Sequence, residues 1–294
     1  LKLVHCHTGS QLQDIRRVKE AVTELAHVYA ELKLLGAGLE YIDIGGGLGI
    51  DYDGSRTNYE SSMNYTLTEY ASDVVYRIGS VCDARGIPHP QIISESGRAI
   101  AAHHSVLVFN VLGVNQVLRN GTPETPSSED HKALHQLFEV HQSITRKNLI
   151  ESLHDAQAAK EEAIALFNLG FLDLRTRGRC ERLYWSCCER ILRLARELDE
   201  MPEELEGLGR AMADTYYGNF SVFQSAPDHW AVKQLFPTMP IHRLGERPSR
   251  LGVFADLTCD SDGKIDHFID RREVKDVLEL HPLGDDDYHL GIFL

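Results

Sequence analysis

An α/β fold over roughly the first hundred residues, followed by a β-rich domain with a helical block set into it, is the architecture that this sequence predicts. Three observations carry that prediction. Apolar residues alternate between strand-like runs and helical spacing up to Ser94. Polar clusters stand at the C-terminal end of each predicted strand. Beyond residue 129 the pattern is helical as far as residue 211, then breaks into short apolar runs interrupted by Gly, Pro and Asp.

Leu1 to Cys6 reads as a short buried strand ending at His7-Thr8-Gly9-Ser10. Val18, Val22, Leu25, Val28 and Leu32 then define a helix over about 14–35, stopped by Gly36 and Gly38. Tyr41 to Ile44 is a second strand, which runs into Gly45-Gly46-Gly47-Leu48-Gly49. Leu67, Tyr70, Val74, Val75, Ile78 and Val81 predict a helix from about Thr66 to Ala84, stopped by Gly86 and Pro88. Gln91 to Ser94 is a third strand, ending in Glu95-Ser96-Gly97-Arg98. A parallel sheet or barrel places its chemistry at such strand ends. Val106 to Val111 reads as a further strand, and Asn120-Gly121-Thr122-Pro123 through Ser128 as a polar connector. Long amphipathic runs follow around Leu149–Phe167 and Leu183–Leu198. Phe220–Phe223, Leu251–Leu257, Phe268-Ile269 and Tyr288–Phe293 read as strands. The helical block is most simply an insertion between two parts of one β domain. There is no internal repeat and no low-complexity segment.

Apolar residues at 43% and charged residues at 25% are globular proportions. Without a run of eighteen uncharged apolar residues, no transmembrane helix is expected. Thirty basic against forty-four acidic residues leave a formal charge of −14, which argues against nucleic acid and suits a cationic small-molecule substrate. The six cysteines (Cys6, Cys82, Cys180, Cys187, Cys188, Cys259) form no CxxC pair, so reduced thiols in a cytoplasmic protein are expected. Cys187-Cys188 falls in a helical pattern and reads as packing rather than as a redox pair. The chain opens and closes in strand-like sequence, so an internal piece of a longer protein is expected.

Several motifs carry chemistry. His5-Cys6-His7 puts two imidazoles on one side of a strand. A metal site needs further ligands at the other strand ends, and these offer glycines and an arginine instead. The glycine run is not the dinucleotide fingerprint, because G-x-G-x-x-G from Gly45 would require glycine where Ile50 stands. A glycine turn after a strand can still present backbone N–H groups to an anion, with Arg98 as a bidentate partner at the next strand end. The segment around Asp260, Asp262 and Gly263 hints at a calcium loop. Its first and twelfth positions, however, would be Thr258 and Ile269, so the anchoring carboxylates are missing. Carboxylates flanking Cys259 disfavour its thiolate, which leaves a proton-donor role open to it.

Taken in order, HCHTGSQ, IDIGGGLGIDYDGS, ISESGRAI with HHSVLV, ADTYYGNFSVFQSAPDHWA, QLFPTMPIHRL and LTCDSDGKID resemble the biosynthetic arginine decarboxylases, pyridoxal-phosphate enzymes of the alanine-racemase-like barrel class. The resemblance covers nearly the whole chain. It implies α/β plus β architecture: part of a pyridoxal-phosphate-binding (β/α)8 barrel over 1–105, the start of a β domain and a connector over 106–128, a helical insertion over 129–211, and the remaining β-rich domain over 212–294. It implies decarboxylation of L-arginine to agmatine in polyamine synthesis, in a homo-oligomer whose subunits share active sites. By the same resemblance His7 stacks on the pyridine ring and Ser10 lies near the phosphate. Gly45, Gly46, Gly47, Gly97 and Arg98 hold the phosphate, and Glu95 pairs with the pyridine nitrogen. Asp214 and Asp260 hold the basic end of the substrate, with ordinary turn capping as the alternative for each. Cys259 reprotonates the α-carbon in a neighbouring subunit. Magnesium is a family association for which no ligands are visible.

One departure stands out. None of the nine lysines occupies the family's Schiff-base motif, which lies on an early barrel strand, and the family's glycine-alanine-tyrosine segment, expected just after Leu294, is missing. The competing expectations are a related decarboxylase of another basic amino acid and a non-catalytic binding homologue.

Overall fold

The computed structural model describes residues 1–117, 123–198, 200–271 and 273–294. Within the predicted connector, Asn120, Gly121 and Thr122 lie outside the described residues.

The first unit is three parallel strands, β1 (Leu3–His5), β2 (Tyr41–Asp43) and β3 (Gln91–Ile93), in the order β1-β2-β3 and linked by two long helices. Helix α1 (Ile15–Leu34) starts where the Asp14 carboxylate accepts the Arg16 N–H. Its buried residues, from Ile15 and Val18 to Tyr29 and Ala30, form one stripe at helical spacing. Helix α2 (Leu67–Arg85) is capped by the Thr66 side chain, and Gly86 ends it in the left-handed conformation at φ 64°. Both helices pack on one side of the sheet, in a core that includes Tyr29, Leu39, Ile42 and Ile78. The strands are shorter than their apolar runs suggest, with three residues each.

A five-residue helix, α3 (Gly97–Ala101), leads into β4 (Val106–Asn115). The helical block follows: α4 (Lys132–Ser143), α5 (Leu149–Asn168) and α6 (Leu174–Ala195), then the single turns α7 (Glu203–Glu206) and α8 (Leu208–Ala211). Helix α6 begins nine residues before the expected Leu183, because the Asp173 carboxylate accepts the Thr176 N–H and opens a helix there. Cys180, Cys187 and Cys188 lie in the bundle core, where burial pushes their thiols up to about 11, 12 and 11. They behave as small apolar residues.

The chain re-enters the sheet at β5 (Asp214–Gly218), which pairs antiparallel with β4. The helices therefore interrupt what would otherwise be a connection between neighbouring strands. Two short helices, α9 (Val222–Ser225) and α10 (Pro227–Val232), precede β6 (Thr238–Pro240), β7 (Arg250–Ala255), β8 (Lys264–Ile265), β9 (Phe268–Asp270), β10 (Glu273–Lys275), β11 (Leu278–Leu280) and β12 (His289–Phe293). The larger sheet runs β11-β7-β5-β4-β12-β6, with β8 on β7. The expected strand at Phe220–Phe223 is a correction, because the Asp256 carboxylate accepts the Val222 N–H at 3.0 Å and the backbone turns into α9. No helix among the described residues is long and apolar enough to cross a membrane.

Candidate functional site

Each of the three parallel strands ends in one of the polar motifs, and all three motifs meet on one side of the sheet. Hydrogen bonds lock them together: Ile44 N–H to Ile93 O (3.0 Å), Glu95 N–H to Gly45 O (2.9 Å) and Leu12 N–H to Gly47 O (2.8 Å). The buried Gln11 amide adds a clamp, donating to Ile50 O and accepting from Ile50 N–H. Gly45 and Gly47 sit at φ 68° and 86°. A side chain at Gly45 would run into the Cys6 carbonyl, and one at Gly47 into the Gly9 carbonyl. Gly46 packs equally closely on the Glu95 backbone, whereas a Cβ at Gly97 would meet open space.

These loops line one wall of a cavity of about 530 Å³. His7, Ser10, Gly46, Gly47, Tyr52, Glu95, Gly97 and Arg98 face it, while Ser225 to Asp228, Phe236 and Leu294 close the other side. Gly45 lies just behind, shaping the turn. Arg98 is the charged centre. Its Nη1 donates to the Tyr52 hydroxyl (3.2 Å), and its Nη2 donates to Ser10 Oγ (3.2 Å) and to Asp228 Oδ2 (3.4 Å). Tyr52 is held edge-on by His103 and Phe236. His7 accepts the Gly46 N–H on Nδ1 at 3.4 Å. A guanidinium, two hydroxyls and a left-handed glycine turn in one cavity are groups able to receive a phosphate-sized anion. Tyr52, Asp228 and Phe236 were not singled out in the sequence. All three nevertheless lie inside the motifs that carry the resemblance, Tyr52 in the loop that follows the glycine run.

The remaining expected residues stand elsewhere. Asp214 is completely buried, and Arg250 Nε donates to its Oδ2 at 2.6 Å. It does not line the cavity, and its place in this chain is an internal ion pair. Cys259 is exposed on the turn between β7 and β8, and neither it nor Asp260 faces this chain's cavity. The Asp260 carboxylate accepts the Asp262 N–H at 3.1 Å, as a turn-capping residue does. Asp256 anchors that turn by accepting from both the backbone N–H and the hydroxyl of Thr258.

The two imidazoles of H-x-H diverge in use: His7 faces the cavity, while His5 Nδ1 lies 2.9 Å from Asp43 Oδ2. Among the described residues, His5, Asp43 and Glu95 form the group of three metal-ligating side chains whose ligand atoms all lie within 4.8 Å of one another, and it includes an imidazole. Magnesium takes an all-oxygen octahedron, so this donor set does not fit it. No lysine is among the residues that line the cavity.

Residues 1–102 match the pyridoxal binding domain of pyridoxal-dependent decarboxylases, and residues 127–209 match the arginine decarboxylase helical bundle domain. Over its whole length the chain is 55% identical to the biosynthetic arginine decarboxylase of Gloeobacter violaceus and 54% identical to that of Thermosynechococcus vestitus, and it covers 46% of each. Over its whole length the chain is similar to biosynthetic arginine decarboxylases. The crystal structure of the biosynthetic arginine decarboxylase from Campylobacter jejuni superimposes with a TM-score of 0.76 at 33% identity, over 99% of this chain and 47% of that one. Diaminopimelate decarboxylase from Helicobacter pylori, at 15% identity and TM-score 0.51, shares the fold. The three parallel strands are thus part of the pyridoxal-binding barrel of the family, and the larger sheet with its helical bundle is the accompanying β domain. The chain spans a little under half the length of the curated relatives that it matches.

Proposed function

We propose that the protein is a pyridoxal-phosphate-dependent lyase that removes carbon dioxide from L-arginine and leaves agmatine, within polyamine biosynthesis in the cytoplasm. The observation that carries this reading is the convergence of Arg98, Ser10, Tyr52 and the Gly45–Gly47 turn in one cavity, with Glu95 on the same wall. These residues fit the cofactor: Arg98 and the hydroxyls hold the phosphate, and the glycine turn and Gly97 let backbone and anion approach. His7 and Glu95 line the same cavity, where His7 would face the ring and Glu95 would pair with the ring nitrogen. When bound, pyridoxal phosphate supplies an electron sink for the bond that breaks. Glu95 keeps a proton at that nitrogen, which is what allows the sink to work.

The exposed turn bearing Cys259 and Asp260 serves the cavity of a neighbouring copy in a homo-oligomer. Cys259 is the proton donor there and Asp260 the partner of the substrate's guanidinium. Its exposure, and its place away from this chain's own cavity, support that arrangement. The formal charge of −14 favours capture of a cationic amino acid. Because the curated relatives are about twice as long, the lysine that anchors the cofactor in this family is assigned to the protein outside these 294 residues. The test is to supply the intact cellular protein with pyridoxal phosphate and offer arginine, ornithine and lysine in parallel. Agmatine and carbon dioxide from arginine are expected. Turnover of ornithine or lysine in preference to arginine, or of none of the three, would overturn the reading.

A further inference from the structure

His5, Asp43 and Glu95 lie at successive positions across the three parallel strands. His5 and Asp43 are register partners on β1 and β2, and Asp43 in turn faces Ile93, two residues before Glu95. Asp43 is buried and has both oxygens engaged, Oδ1 by the Gly45 N–H at 2.9 Å and Oδ2 by His5 Nδ1 at 2.9 Å. The imidazole is therefore fixed on one side by a carboxylate that is itself fixed by the glycine turn. One ligand atom from each of His5, Asp43 and Glu95 lies within 4.8 Å of the other two. Among the described residues, no side chain is hydrogen-bonded to the Glu95 carboxylate, and the ligand atoms of His5 and Asp43 approach it to within 4.8 Å. An exposed glutamate has three free torsions, and ordering it costs conformational entropy unless a partner holds it.

We propose that His5 is a positioning residue for Glu95. Braced by Asp43, its ring steers the glutamate carboxylate towards the point where the cofactor's ring nitrogen rests. The proposal relies on the reading of Glu95 given above. Asp43 and the Gly45 N–H form the fixed end of a relay, His5 the middle and Glu95 the working end. Hydrogen bonds run from the Gly45 N–H through Asp43 to His5, and Glu95 stands within 4.8 Å of that group, so the two ends of the cofactor site share one frame. A purely structural role, tying β1 to β2, needs His5 and Asp43 alone and makes no use of Glu95.

Two measurements on the intact protein separate these cases. The first needs no cofactor. With 15N-labelled histidine, the His5 ring signals, identified by their loss in His5→Phe, are expected to shift in Glu95→Gln as well as in Asp43→Asn. Signals that ignore Glu95→Gln overturn the proposal outright. The second follows the ring nitrogen of bound, 15N-labelled pyridoxal phosphate. His5→Phe is expected to move that signal towards the unprotonated position while the cofactor stays bound. It should also lower kcat for arginine by about tenfold, the scale of one charge-assisted hydrogen bond, with KM little changed. His5→Gln, which keeps an N–H donor, should recover part of both effects. If the ring-nitrogen signal moves in Glu95→Gln and not in His5→Phe, the positioning role falls while the reading of Glu95 stands. If it moves in neither, the reading of Glu95 falls and the proposal with it.

Discussion

Arg250 Nε donates to Asp214 Oδ2 at 2.6 Å, and the carboxylate it meets is completely shielded from solvent. The pair crosses from β5 to β7, and Asp214 Oδ1 has no hydrogen-bond partner of its own. A buried carboxylate with one partner depends heavily on it, since desolvation costs more than an isolated charge recovers. Arg250→Met should therefore destabilise the β domain by about 3–5 kcal/mol. The double variant Asp214→Asn/Arg250→Met should recover much of that loss, because it leaves no unpaired charge. Urea unfolding followed by tryptophan fluorescence reads both. A double variant no more stable than Arg250→Met alone would show that the pair contributes through packing.

The glycine turn offers an internal control. At Gly47 the backbone is left-handed and a Cβ would meet the Gly9 carbonyl, whereas at Gly97 a Cβ would meet open space. Gly47→Ala should cost about 1–3 kcal/mol and weaken phosphate binding, since the strained turn itself shapes the cradle. Gly97→Ala should leave stability within about 0.5 kcal/mol of wild type. Thermal unfolding with and without inorganic phosphate measures both, and equal effects at the two positions would remove the steric argument.

Both long helices of the first unit were legible because their caps and their apolar stripes are local. Asp14, Thr66 and Gly86 stand beside the residues they cap. The Phe220–Phe223 run was not legible. One turn of helix and a short strand bury similar residues, and Asp256, which decides between them, lies 34 residues away. The site divides in the same way. The strand-end motifs are contiguous and could be read, but the contact of Asp228 with Arg98 joins residues 130 apart and exists only after folding. For Asp214 the chemistry of the side chain was visible, whereas its burial and its arginine partner were not.

Acid should unfold the β domain through Asp266. Burial pushes this carboxyl up, but hydrogen bonds from Lys264 and His267, with their charges, outweigh burial and hold it at about 2. In the unfolded chain an aspartate titrates near 3.9 (roughly). A folded-state value below the unfolded one means that the contribution to stability is complete above about pH 4 and fades as pH falls towards 2. Asp266→Asn should flatten the pH dependence of stability in that window and leave a smaller change elsewhere. Denaturant midpoints taken from pH 6 down to pH 2 measure it. An unaltered slope would transfer the acid sensitivity to other carboxylates.

Arg98 supports the sharpest test of what the cavity holds. Its two terminal nitrogens reach Tyr52 on one side and Ser10 on the other, a fork that a lysine ammonium cannot reproduce. Arg98→Lys should therefore weaken pyridoxal phosphate by roughly 10-fold to 100-fold, the range of one lost hydrogen bond to a charged group. Pyridoxal, which lacks the phosphate, should bind Arg98→Lys and wild type within about twofold of each other, since the residue acts on the phosphate alone. Asp228 supplies a second arm. Its carboxylate lies 3.4 Å from the Nη2 that also meets Ser10, so it competes with an incoming phosphate for the same guanidinium. The pair is partly exposed, and its removal by Asp228→Asn should tighten inorganic phosphate by about two- to fivefold, the effect of a weak surface ion pair. Calorimetric titrations with pyridoxal phosphate, pyridoxal and phosphate on wild type and the two variants measure these effects. If Arg98→Lys weakened pyridoxal as much as pyridoxal phosphate, the arginine would be shaping the cavity and the phosphate would bind elsewhere.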